Sequence, residues 1–97
     1  MLARRVTLLT VALLAGCAGQ GLTRDGTALP DAGSPAAQLY VERCGGCHAV
    51  PHPGRHSYAG WLHLVPLMEQ RMAERGMRPL TDRERDDLLG YLRLHSR

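Results

Sequence analysis

Residues 43–56 read RCGGCHAVPHPGRH, and the first half of that stretch decides how the rest of the chain is read. Two of the three cysteines and three of the five histidines of the chain fall inside it. Such a density of thiols and imidazoles calls for a metal, a redox pair or a covalent cofactor. A thioredoxin-like dithiol needs its CxxC at the start of a helix that follows a strand, and the sequence has no strand pattern. A structural zinc site needs four ligands, typically from a second CxxC or an HxxxH pair. His52 and His56 have that spacing, but Pro53 and Gly54 lie between them and make the stretch a loop. A disulfide between Cys44 and Cys47 closes a tiny, strained loop and contributes little. The fourth arrangement is c-type haem attachment through CxxCH. Thiols three positions apart can each add to one of two neighbouring vinyl groups of a haem, and His48, directly after the second, is held under the ring to bind the iron. Gly45 and Gly46 need only be small.

The start of the chain places this motif in a compartment. MLARRVTLLTVALLAG (residues 1–16) has two arginines, an apolar run and then small residues, the anatomy of an export signal. The run is too short for a permanent membrane span. Leu14, Ala15 and Gly16 lead into Cys17, and LAGC resembles the lipobox of bacterial lipoproteins, in which the signal is removed and the cysteine becomes the lipidated N-terminus. The resemblance implies lipidation at Cys17 and, with Ala18 and not Asp next, the outer membrane. Without residues 1–16, the twelve arginines lose Arg4 and Arg5, and the ten that remain face nine acids, a net charge of +1. The basic balance thus belongs mostly to the signal, and with no basic run or aromatic platform nucleic acid is excluded as a partner.

Residues 17–35 begin with the lipidation site and continue as a Gly, Ala, Thr and Pro-rich stretch that lacks an apolar period and is expected to be a flexible tether. A flexible chain of that length spans roughly 20 to 25 Å. Residues 36–97 are left to fold, with Trp61 and three tyrosines as the only aromatics. So short a chain usually needs a staple, and a covalent cofactor would supply one. AAQLYVERCGGCH reads as a first helix loosened by the two glycines, and residues 49–60 as loop. WLHLVPLMEQRMAER (61–75) carries an apolar stripe and is followed by Gly76, a natural C-terminal cap. TDRE at 81–84 is a capping box that opens a last helix with Leu88, Tyr91, Leu92 and His95 on one face. The expected fold class is all-α, about three helices around one covalently bound haem.

Residues 36–97 resemble the class I c-type cytochromes, small proteins with a single haem. LYVERCGGCH is similar to that family's first helix and haem motif, and PLTDRERDDLLGYLRLH to its last helix, whose aromatic residue, here Tyr91, packs on the first. Ala36 or Ala37 stands where the family usually has glycine. The resemblance implies one haem c held by Cys44 and Cys47, with His48 as one iron ligand and a methionine as the other. Met77 is ranked first, since it follows Gly76 on a loop near Pro79. WLHLVPLM also resembles the cytochrome subunits of sulfite dehydrogenases, where a helical methionine would be the ligand, so Met72 and Met68 are the alternatives. In the family a proline carbonyl orients the histidine, which makes Pro51 or Pro53 the candidate; Arg55 is a candidate for a haem propionate, and Trp61 for a core residue touching the ring. With both iron positions filled, the resemblance implies an electron-transfer protein, not an enzyme. It would be a lipid-anchored one-electron carrier on the periplasmic side of a bacterial membrane, with redox proteins as partners. The alternatives are the haem subunit of a larger oxidoreductase and a five-coordinate haem that senses a gas.

Overall fold

A computed structural model describes residues 22–24 and 26–97. The expected signal and the lipidation site at Cys17 lie outside the described residues. Three helices follow in order, α1 (Pro35–Cys44), α2 (Tyr58–Glu74) and α3 (Asp82–His95), with a short 3₁₀ turn, Pro53–Arg55, between the first two. Among the described residues there is no strand, only an isolated bridge between Leu22 and Ala28. The expected small, all-helical architecture is observed.

Each helix start is set by a hydroxyl that accepts an otherwise unpaired backbone N–H. Ser34 accepts from Ala37 at 3.1 Å with Pro35 opening α1, and Ser57 accepts from Gly60 at 3.1 Å. Thr81 and Glu84 form the expected reciprocal box, Thr81 accepting from Glu84 N–H at 3.1 Å and Glu84 accepting from Thr81 N–H at 3.0 Å. Thus α2 begins earlier than Trp61, because the Ser57 cap outweighs the low helix preference of Gly60. Pro66 lies inside α2. It leaves the Leu62 carbonyl without its helical donor, but Leu62 is exposed and water can serve it. Met77 N–H reaches back to Met72 C=O at 3.0 Å and Gly76 N–H to Ala73 C=O at 3.0 Å. With Gly76 at φ +68°, this is a Schellman ending of α2.

The helices meet around aromatic rings whose polar ends all find proline carbonyls. Tyr40 of α1 is fully buried, its ring centroid 5.6 Å from Tyr91 of α3 and 6.2 Å from Trp61 of α2. Ala37, Val65, Leu88 and Leu92 fill the space between them. Tyr40 OH donates to Pro51 at 2.8 Å, Trp61 Nε1–H to Pro53 at 2.8 Å and Tyr91 OH to Pro30 at 2.9 Å. A buried hydroxyl or indole N–H left unpaired costs about 1–3 kcal/mol, so these bonds fix the loops as firmly as the rings fix the helices. Burial pushes the Tyr91 phenol up to about 12, with the nearby Asp31 carboxylate adding to the effect, and raises that of Tyr40 further.

The stretch expected as a tether is partly packed. Leu29 is buried in the core, and Arg24 N–H donates to Val50 C=O at 2.8 Å. Asp31, at φ 48°, turns the chain so that its carboxylate lies 3.1 Å from His95 Nε2. Leu29 is the one buried apolar residue described before α1 and leaves no period in the sequence, and the bond that ties its neighbour Pro30 to Tyr91 of α3 spans some sixty residues. The packed part of the chain therefore begins before residue 36.

Candidate functional site

Cys44 is the last residue of α1, so the motif leaves the helix at its first thiol. The turn needs a glycine at position 45, where a Cβ would sit 2.4 Å from the Val41 carbonyl oxygen. Cys44 packs against the core while Cys47 and His48 are exposed, and both thiols are free. Burial pushes the Cys44 thiol up to about 11, partly offset by the Arg43 cation and reinforced by Glu69, so it is protonated at neutral pH. His48 Nδ1 lies 3.0 Å from the Ala49 carbonyl oxygen. A carbonyl only accepts, so Nδ1 carries the hydrogen and the Nε2 lone pair is free to ligate. The orienting carbonyl is therefore Ala49, not Pro51 or Pro53, whose carbonyls are taken by Tyr40 and Trp61.

Opposite the motif stands the second half of α2. Leu64, Leu67, Met68, Arg71, Met72 and Arg75 recur at three- and four-residue spacing, which puts them on one face, and together with Met77 they close a cleft of about 240 Å³. Cys44, Gly46, Cys47 and His48 line its other side. All three candidate methionines thus face the same space as both thiols and the imidazole. They differ in how they are held. Met72 is buried, while Met68 on α2 and Met77 on the loop after the Schellman ending are half-buried and packed against the core. Met77 Cε lies 3.2 Å from where a Gly46 Cβ would be, so this thioether reaches across to the motif.

The donor set fits a covalently attached haem: paired thiols, an imidazole of settled tautomer, soft thioether sulfurs opposite and an apolar floor. Arg43, Arg71 and Arg75 line the cleft and, among the described residues, no carboxylate does, which suits a cofactor with acidic substituents. Arg55, a candidate for that duty against the alternative of a solvated arginine, lies in the 3₁₀ turn and not in the cleft. The missed arginines carried a readable signal, since Arg71 and Arg75 follow Met68 by one and two turns of α2. Trp61 is buried behind the cleft and does not line it; its ring stands edge-on to His56 at 5.0 Å. His52 is turned away as well, its Nδ1 accepting from Gly54 N–H at 2.9 Å. Among the described residues no three His, Cys, Asp or Glu side chains converge as a metal-binding group, so neither His52 nor His56 completes a four-ligand site with the thiols.

No protein-family model matches this chain, and no similar curated protein or solved structure is found.

Proposed function

We propose that the chain is a monohaem c-type cytochrome that carries single electrons while anchored by lipid at Cys17 to the periplasmic face of a bacterial membrane. The reading is supported above all by the convergence of Cys44, Cys47 and His48 with Met68, Met72 and Met77 on one cleft. Cys44 and Cys47 hold the cofactor through thioethers, and His48 presents its Nε2 to the iron. Met77 would be the second ligand, because it stands on a loop, reaches the motif and is only partly buried where Met72 is buried. A haem held between an imidazole and a thioether exchanges one electron between its ferric and ferrous states, with a raised potential. Leu64 and Leu67 contribute an apolar wall that favours the less charged, reduced form. A lipid anchor raises the effective concentration near membrane-bound redox partners.

The test is retention of the cofactor. When the chain is exported together with a haem-attachment system, the protein unfolded and separated on a denaturing gel keeps its haem colour and peroxidase stain. Cys44→Ser combined with Cys47→Ser loses both. A wild-type chain that releases all its haem on denaturation refutes the reading.

A further inference from the structure

The segment that bears Met77 is held by a polar tie from each of the three helices. From α2 comes the Schellman bond of Met77 N–H to Met72 C=O. From α1, Arg43, the neighbour of Cys44, donates its guanidinium to the Arg78 carbonyl, one residue past Met77. From α3, Glu84 takes the Arg78 side chain in a fork, Nη1 to Oε1 at 2.9 Å and Nη2 to Oε2 at 3.1 Å. Glu84 Oε1 also holds the Thr81 N–H of the capping box. The Arg43 side chain is only 11% exposed, and its buried Nε has no hydrogen-bond partner; Glu84 Oε2, 3.6 Å away, is the carboxylate beside it.

We infer that Glu84, with Arg43 and Arg78, positions Met77 as the second iron ligand, an assignment that rests on the cytochrome reading above. An ion pair at the surface contributes little to the stability of a fold, which does not account for an arginine whose Nε is buried beside the motif. Its geometry does. Arg43 spans from the helix that ends in Cys44 to the backbone of the loop that carries the thioether, so it sets the distance between the two sides of the cleft. Glu84 supplies the negative charge that lets Arg43 stay buried and grips the side chain of the residue whose backbone Arg43 grips. Without Glu84, the unpaired guanidinium turns toward water, the Arg78 carbonyl loses its donor and the Met77 loop opens. Arg43 and Glu84 are positioning residues; neither needs to touch the iron.

The experiment is a titration of the ferric holoprotein with imidazole, which occupies the iron only when the methionine has left, so its apparent affinity scales with the open fraction. Glu84→Ala and Arg43→Ala each raise that affinity about tenfold and weaken the methionine–iron absorption band. The double variant gains no more than the stronger single one, as expected for residues acting through one network. Arg85→Gln, on the same helix as Glu84, cuts the ties to Glu69 of α2 and Asp82 of α3; it lowers stability but leaves imidazole affinity unchanged. If Glu84→Ala does not accumulate as a folded holoprotein, Arg78→Ala is measured in its place. Haem-loaded variants with wild-type imidazole affinity overturn the proposal, including the case in which Met72→Ala or Met68→Ala, and not Met77→Ala, removes the band. A wild-type protein without covalent haem overturns the cytochrome reading instead, and the proposal falls with it.

Discussion

The two walls of the cleft are built on different principles. On one side Cys44, Cys47 and His48 lie within five consecutive residues, so their relation is fixed by covalent chain and by one local turn at Gly45. On the other, Met68, Met72 and Met77 are spread over ten residues, and their placement depends on α2, on its Schellman ending and on ties to α1 and α3. A covalent anchor tolerates no choice of residue but little supporting structure. A thioether ligand tolerates several candidate residues and then needs the surrounding fold to select one.

That contrast breaks most visibly at the methionines. Met72 is buried and packed among the helices, and truncating a core methionine to alanine costs about 2–5 kcal/mol. Met72→Ala therefore shifts the urea midpoint strongly, and if the chain binds haem as proposed the methionine–iron band of the surviving folded protein persists. Met77→Ala does the reverse, with a small shift in midpoint and complete loss of the band. If Met72→Ala abolishes the band in folded protein, the ligand comes from the helix, and the difference between the two walls shrinks to the length of chain that joins their residues.

Within the motif wall the two glycines give a smaller and sharper contrast. A Cβ at position 45 would meet the Val41 carbonyl at 2.4 Å, a backbone atom that cannot move aside without disturbing the last turn of α1. At position 46 it would meet only the Met77 methyl at 3.2 Å, the far end of a flexible side chain. Overpacking costs typically about 1–3 kcal/mol, so Gly45→Ala is expected in that range and Gly46→Ala below it, both read from urea denaturation. Equal losses at the two sites would show that the turn at Gly45 can relax.

The same contrast explains what could be read from the sequence. The motif could be picked out because its residues are contiguous, and α3 was legible because Thr81 and Glu84 announce its start three residues apart. The start of α2 was not, since Gly60 reads as loop and only the Ser57 hydroxyl's bond to its N–H shows otherwise. The packing of residues 26–34 was illegible for a different reason. The bond from Tyr91 to Pro30 and the burial of Leu29 are long-range and leave no local period. The arginines of the cleft were hidden because a charged residue on a helix reads as solvated until the helix it faces is known. Composition could not show that Arg43 lies under a loop, or that the carbonyl beside His48 belongs to Ala49.

The least effect is expected from acid, and it probes the methionine wall at its hinge. The Arg78 fork, and after it the bond from Thr81 N–H, holds the Glu84 carboxyl down at about 2, against 4.5 for an ordinary glutamate. A group whose folded pKa is depressed contributes stability that is complete above its unfolded value and is lost as pH falls through the folded one. Glu84 thus stabilises the fold fully above about pH 5 and ceases to do so toward pH 2. Glu84→Gln keeps an acceptor for Thr81 but cannot ionise, so it is less stable than wild type at pH 7, and the gap closes as pH falls through that window. Urea midpoints of both proteins, taken at intervals from pH 7 to pH 2, measure the gap directly. A gap that stays constant across the window would mean that Glu84 acts through its shape and its cap bond alone, and the loop of Met77 would then owe its position to the Schellman ending and Arg43.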